Sequence, residues 1–180
     1  MPRESLHIEP RGLTATAQHY IRDLVYGAND GIITTFAVVG GVTGGALSHT
    51  AVLVVGCANL AADGMSMGLG NLLAIRAHER AREAQNLPEE EAYPWKHGVA
   101  TLVAFVGAGA IPLVPFVLPV ADRPFWATVM TFASLFALGG LRAVITSEQW
   151  WRSALETLLL GAVVALAAYG AGALVASAVT

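Results

Sequence analysis

Charged side chains are scarce in this sequence, and their scarcity excludes several classes of protein. Asp, Glu, Lys and Arg make up 13% of the 180 residues, whereas 55% of the residues are hydrophobic. Soluble domains usually carry about 25% charged residues. The composition therefore excludes a disordered chain and a fibrous repeat, and it is not that of a typical water-soluble enzyme.

Cysteine and basic charge are lacking as well. Cys57 is the only cysteine, so no internal disulfide is expected, and no Cys/His spacing indicates a zinc site. The formal net charge is −3, which predicts no basic surface for nucleic acid. Residues 1–18 contain no long apolar stretch, so we expect no cleavable signal peptide.

What the sequence does contain is apolar stretches of about 20 residues, the length at which a helix crosses a bilayer. A helix is favoured because lipid offers no partners to free backbone groups, and the stretches lack the alternation of barrel strands. We predict an all-α membrane protein with five transmembrane helices at Leu24–Ser48, Thr50–Ile75, Gly98–Leu118, Trp126–Ile145 and Leu155–Ala176.

The distribution of positive charge predicts the orientation. Of the ten Lys and Arg residues, Arg123 alone lies on the opposite side of the predicted spans from the others. Because Lys and Arg are retained in the cytoplasm, we expect the N-terminus there and the C-terminus outside. Residues 1–23 are predicted to be a cytoplasmic segment, with an amphipathic helix at Thr14–Asp23 along the membrane face. Residues 24–180 then form one transmembrane domain with a cytoplasmic loop at 77–96.

Glycine and proline positions predict how the spans pack and end. Close-set glycines, such as Gly27 and Gly31, let helix backbones approach closely. Pro112 and Pro115 predict a kink or an end toward the outside of span three. Span two is expected to continue as a helix through Gln85.

Polar residues inside the predicted spans are candidates for function, because such residues are costly in lipid. In span two, Asn59, Asp63 and Met67 are spaced four apart with Ser66 beside them, which places them on one helix face. Asp30 in the antiparallel span one could meet this face. Oxygen ligands with a thioether sulfur could hold Fe²⁺ or Mn²⁺. A buried carboxylate tends to keep its proton until a cation arrives, so metal binding would release protons.

Each of these residues also has a purely structural explanation. Asp30 could cap a helix break at Ala28–Gly31, and Asp63 could be a protonated hydrogen-bond donor between helices. Met67 could serve packing alone. Asn59 and Ser66 could hold helices together.

At the cytoplasmic end of span two, Glu79 and Glu83 could collect cations, or they could pair with neighbouring arginines or solvent. Glu156 is expected to pair with Arg142 or Arg152. We expect His97 to be interfacial and residues 89–91 to be a solvated loop.

Two motifs resemble those of a known family. The first comprises Arg22-Asp23 and the run Tyr26-Gly-Ala-Asn-Asp-Gly31; the second is Ala58-Asn-Leu-Ala-Ala-Asp-Gly-Met-Ser-Met-Gly-Leu-Gly70. They resemble the first-span and second-span signatures of the vacuolar iron transporter family. The resemblance covers nearly the whole chain from Arg22.

The resemblance implies five spans, a homodimer with its pathway at the dimer interface, and export of Fe²⁺, often Mn²⁺, from the cytoplasm in exchange for protons. By position, Asp30 and Met67 match the family's in-membrane metal-handling residues, and Asp23 matches an acid near the cytoplasmic entrance. Asn59 falls where the plant-type branch has a glutamate. Asp63 falls where that branch has a small residue.

The sequence departs from the family at the cytoplasmic side. Plant-type members carry a three-helix metal-binding domain, rich in Glu and Met, between spans two and three. Here that region is the 20-residue segment Ala77–Lys96, which contains no methionine. Many relatives have glutamate where this chain has Asn71.

We therefore expect a homodimeric exporter of Fe²⁺ or Mn²⁺ in a prokaryotic cell membrane, with the metal and protons as substrates, no cofactor and no enzyme activity. Two alternatives stay open. One is a non-transporting membrane assembly protein, in which buried polar residues only hold helices together. The other is an intramembrane aspartyl protease with Asp30 and Asp63 as its dyad.

Overall fold

The computed structural model describes residues 5–146 and 148–179, which fold mainly into long α-helices. Each predicted apolar stretch coincides with a helical segment, so the prediction of an all-α protein is confirmed. Arg3 and Thr180, which the predicted topology placed on opposite sides of the membrane, lie outside the described residues. The helices are α1 (Leu13–Gly44), α2 (His49–Ala84), α3 (Pro94–Gly109), α4 (Val114–Val117), α5 (Arg123–Thr146) and α6 (Trp150–Val179).

Within the residues that the structure describes, four helical segments are long and apolar enough to cross a membrane, which supports an integral membrane protein. These segments are His49–Ala84, Pro94–Val117, Arg123–Ala143 and Trp150–Val179. In α6, only 6% of the most apolar window is buried inside the protein, so this helix offers most of its surface to lipid.

Helix α1 is long enough to be the fifth span, with 32 residues, but its most apolar stretch is less apolar than those of the four segments above. Asn29, Asp30 and several glycines lower its mean hydropathy. The position of the helix explains this composition, because α1 packs against α2, α3, α5 and α6 and is therefore shielded on several sides. The fifth crossing stays a prediction.

Glycines bring α1 and α3 into direct backbone contact. A Cβ atom at Gly27 would lie 2.5 Å from the carbonyl oxygen of Thr101, and one at Gly31 would collide with the carbonyl group of Phe105. Such approaches are possible only where the side chain is a hydrogen atom. The predicted close packing at these glycines is confirmed.

Glycines also line two further helix contacts. A Cβ atom at Gly98 of α3 would lie 2.6 Å from the carbonyl oxygen of Gly68 in α2. Toward the other end of α1, a Cβ atom at Gly172 of α6 would collide with the backbone of Gly41. Helix α1 is thus held closely by α3 in its middle part and by α6 near its C-terminal end.

The helix ends largely follow the sequence signals. α3 ends at Gly109 and is followed by a 3₁₀ turn at Ile111–Leu113 and the short α4, as expected from the two prolines. α2 ends at Ala84, one residue before the predicted end. The predicted amphipathic segment is not a separate helix but the first part of α1, because no proline interrupts the chain between residues 13 and 44.

Candidate functional site

Asp30 of α1 and Asp63 of α2 lie on neighbouring helices, and both residues are half-buried. Their carboxyl groups are close enough to interact electrostatically. Within the described residues, neither carboxyl group has a hydrogen bond or an ion pair. Two such acids in an apolar setting repel each other when ionised, and a proton or a metal ion bound between them would remove that repulsion.

The explanation of Asp30 as a helix cap is wrong. Helix α1 runs without a break from Leu13 to Gly44, so no helix end exists near Asp30. The Thr34 hydroxyl donates to the Asp30 backbone carbonyl at 2.8 Å, which is the local bond that a helical Thr commonly makes. The Asp30 carboxyl group stays free for another partner.

The candidate residues of α2 lie along the edge of its buried face. That face consists of every fourth residue: Gly56, Leu60, Gly64 and Gly68. Asn59, Asp63 and Met67 each lie one position before a member of this set and form a half-buried row, whereas Ser66 is exposed. The structure therefore brings three of the four predicted residues into one row and turns Ser66 toward the open surface.

Two residues of this row differ in what surrounds them. The Nδ2 atom of Asn59 is buried and has no hydrogen-bond partner in the described structure. Buried polar atoms are normally paired, so an unpaired amide is a candidate for binding a ligand. Met67 packs against a hydrophobic cluster that includes Leu60 and Phe105, so its packing role is real.

Asp23 is buried in the N-terminal third of α1, with 2% of its side chain exposed. Asn71 of α2 donates to its Oδ1 atom at 2.8 Å, and the Nδ1 atom of His97 lies 2.5 Å from its Oδ2 atom. The same Asn71 amide donates to the Thr101 hydroxyl at 2.8 Å. Asp23 lies seven residues before Asp30, about two helical turns or 10 Å along α1. It is thus an acid held in place between the N-terminal end of α1 and Asp30.

Glu79 and Glu83, which were predicted either to collect cations or to pair with neighbouring arginines or solvent, differ in their surroundings. Glu79 is buried, and its Oε1 atom accepts the backbone N–H groups of Glu90 at 3.1 Å and Glu91 at 3.0 Å. Glu83 is exposed. Glu79 therefore holds the loop after α2 in place, a role that the sequence did not indicate.

A polar cleft of about 440 Å³ opens at this end of the molecule. Its lining joins α1, α2, the loop and α3, and includes His19, Asp23, Glu79, Glu91 and His97. The cleft leads from the surface to the buried Asp23, so it is a suitable entrance for a cation.

Asp23 and Glu79 were predicted near an entrance, whereas the sequence did not indicate the part that His19, Glu91 and His97 take in this cleft. His97 is buried inside the protein, and its Nε2 atom lies 2.9 Å from the Oε2 atom of Glu91. Burial raises the pKa of Glu91, but the Tyr93 N–H and the nearby His97 and His7 rings outweigh it, and the net pKa is lowered. The loop glutamates are thus not all solvated. Elsewhere, the predicted pairing of Glu156 with Arg142 is confirmed at 2.9 Å.

The apolar helices define an integral membrane protein that carries half-buried acids on two neighbouring helices. The model of the VIT family matches residues 21–92 and 77–173. The chain belongs to the VIT family.

Similar proteins support this assignment along most of the chain. It is 28% identical to vacuolar iron transporter 1 of Eucalyptus grandis over 214 aligned positions, covering 86% of each protein. It is also 28% identical to vacuolar iron transporter 1 of Arabidopsis thaliana, covering 86% of this chain and 85% of the relative. A vacuolar iron transporter of Toxoplasma gondii is 42% identical over 43% of this chain and 29% of its own length.

Proposed function

We propose that the protein is a homodimeric exporter that moves Fe²⁺ or Mn²⁺ out of the cytoplasm in exchange for protons. The observation that carries the proposal is the pair Asp30 and Asp63, two acids on helices that pack together, for which the described residues provide no hydrogen bond or ion pair. The relatives named as iron transporters support the choice of cargo.

The proposed binding site combines hard and soft ligands. Asp30, Asp63 and Asn59 supply oxygen atoms, and Met67 supplies a sulfur atom beside them. Oxygen ligands suit Mn²⁺ and other hard cations, and a thioether shifts preference toward softer ions such as Fe²⁺. Ser66 joins the site only from the open side of α2, where a second subunit would lie.

Exchange follows from the charge of the two acids. In the absence of metal, protons neutralise the carboxyl groups, because two ionised acids in an apolar site repel each other. A divalent cation replaces those protons when it binds. Release of the cation on the outer side then requires new protons, so metal export is coupled to proton import.

A second copy of the chain is proposed to cover the open side of α2. Met65, Ser66 and Leu69 are exposed next to the half-buried row that holds Asp63. Facing lipid, these acids would be costly. A twofold axis beside this face would enclose them and double the ligands.

The family argues against the protease alternative. The VIT relatives are named as transporters, which confirms the prediction that this protein is not an enzyme. A metal ion is therefore cargo rather than cofactor. We place the protein in a prokaryotic cell membrane, a proposal that fractionation of the native host would test.

The test is metal flux into proteoliposomes with a proton gradient. We expect Asp30→Asn and Asp63→Asn each to lower the rates of Fe²⁺ and Mn²⁺ transport at least about tenfold, since each removes a charged ligand while keeping its shape. Asp122→Asn is the control, because Asp122 is an exposed acid whose side chain accepts the Phe125 N–H in the outer turn.

Three results would contradict the proposal. Wild-type transport rates in both aspartate variants would contradict the proposed binding site. Metal flux without an opposite proton flux would contradict the proposed exchange. A wild-type protein that moves neither metal, together with normal folding, would favour the non-transporting assembly protein.

A further inference from the structure

The segment before α1 folds back over the loop that follows α2. The Leu6 N–H donates to the Glu89 carbonyl oxygen at 2.7 Å, and Ser5 and Glu89 form an isolated parallel bridge. This contact places His7 beside Glu91, although the two residues are far apart in the sequence. His19, in the second turn of α1, lies on the other side of the same carboxyl group.

His7, His19 and Glu91 together have the geometry of a metal site. One potential ligand atom from each residue lies within 4.8 Å of the other two. His7 Nδ1 is 3.2 Å from Glu91 Oε1, and His19 Nε2 is 3.3 Å from Glu91 Oε2. The side chains are largely enclosed, with 6%, 26% and 13% of their surfaces exposed respectively.

Both ring nitrogens of His7 face carboxylate oxygens. His7 Nε2 lies 3.0 Å from a carboxylate oxygen of Glu9, and a carboxylate can only accept, so this nitrogen is the donor. The other nitrogen, Nδ1, faces Glu91 across 3.2 Å, and either a proton or a metal ion between the two atoms would satisfy both of them.

The same arrangement occurs at the neighbouring histidines. His97 Nδ1 lies against Asp23, and its Nε2 atom lies 2.9 Å from Glu91 Oε2. The Nε2 atoms of His19 and His97 are buried and make no hydrogen bond in the described structure. A histidine that binds a metal with one nitrogen typically gives its other N–H to a carboxylate, as His7 does to Glu9 and His97 to Asp23.

We propose that His7, His19 and Glu91 form a cytoplasmic binding site for one divalent first-row transition-metal ion. Two imidazoles and one carboxylate are a ligand set suited to ions such as Fe²⁺, Co²⁺ or Zn²⁺, and open positions remain for water. Mg²⁺ and Ca²⁺ prefer oxygen ligands and are not expected to compete.

The site lies where it can supply the transport path. His19 and Glu91 line the cleft that reaches Asp23, and His97 bridges Glu91 and Asp23. The site therefore collects ions at the entrance before they move to Asp23 and Asp30. This collecting role rests on the proposed function, whereas metal binding at the site does not.

The binding test uses the full-length protein in detergent with Co²⁺ as the probe. The protein carries both Asp30→Asn and Asp63→Asn, so that metal binding at the in-membrane acids is removed; this double variant is the background protein. In this background we expect one bound Co²⁺ per chain by calorimetry, with visible absorption bands of nitrogen coordination, and no displacement by excess Mg²⁺.

The variants His7→Gln and Glu91→Gln are expected to weaken Co²⁺ binding at least about tenfold. His7 precedes the helical bundle, so its replacement leaves the fold intact. His78→Gln is the matched control, because His78 is an exposed histidine at the same end and lies 3.5 Å from Glu90. Unchanged binding in His7→Gln, or an absorption spectrum of oxygen ligands alone in the background protein, would overturn the site.

Transport assays test the collecting role of the site separately from its ability to bind metal. In the chain with Asp30 and Asp63 intact, His7→Gln should raise the KM for metal severalfold without changing the maximal rate. An unchanged KM in a variant that no longer binds Co²⁺ would overturn the collecting role. Loss of transport in the background protein, with Co²⁺ binding kept, would show that the two sites are independent.

Discussion

The backbone contact between α1 and α3 at Gly27 gives a quantitative test of the helix packing. A Cβ atom there would lie 2.5 Å from the Thr101 carbonyl oxygen, about 0.9 Å closer than the 3.4 Å at which ordinary contact begins. The same atom would lie 3.2 Å from the Phe105 backbone nitrogen, so no side-chain rotation relieves the clash. Gly27→Ala therefore forces the two helices apart.

The expected effect follows from that displacement. A gap of 0.5–1 Å removes about a quarter to a half of the dispersion energy of each atom pair across the contact. Overpacking of this kind destabilises a protein by about 1–3 kcal/mol. We therefore expect Gly27→Ala to lower the melting temperature in detergent by several degrees.

Gly107→Ala is the matched control in the same pair of helices. Gly107 lies in α3, and a Cβ atom at this position would meet nothing within 4 Å. Replacing glycine by alanine in an open helix position is expected to stabilise the protein by about 0.5–1 kcal/mol. The melting temperatures are measured by circular dichroism. Equal values for Gly27→Ala and Gly107→Ala would refute the close contact.

Two further predictions concern charged residues at the helix ends. Glu79→Gln should weaken two backbone hydrogen bonds to the loop and cost about 1–3 kcal/mol, measured as faster proteolysis within residues 87–93, while Glu83→Gln at an exposed position should change nothing. Arg142→Ala should change the melting temperature little, because Arg142 pairs with two exposed glutamates, Glu148 and Glu156, and such pairs contribute about 0–1 kcal/mol; a large loss of stability would contradict this.

The sequence predicted the helices well because apolar runs of bilayer length have few other solutions. Two local effects could also be predicted from residue type and spacing. They are the close helix packing at Gly27 and Gly31 and the end of the helix near Pro112 and Pro115. The Arg142–Glu156 pair was predictable because a short turn brings the ends of two helices together.

The cluster of His7, His19 and Glu91 could not be predicted from the sequence in this way. His7 and Glu91 meet only because the N-terminal segment pairs with Glu89, and no periodicity encodes a contact between a loop and a segment without regular structure. Asn71 was noted for the glutamate it replaces, yet its amide binds Asp23 and Thr101. Helical spacing placed Ser66 beside Asp63. The half-buried row of Asn59, Asp63 and Met67 is only one residue wide, so Ser66 already lies on the open surface of α2.

The glycines between α1 and α3 have a consequence for how access could alternate between the two sides. Helices whose backbones meet at Gly27 and Gly31 cannot slide past each other without collision, so we expect α1 and α3 to move together. The contact between Gly68 of α2 and Gly98 of α3 adds α2 to this unit by the same argument. Opening and closing are therefore expected to come from elements that are not held by these glycine contacts.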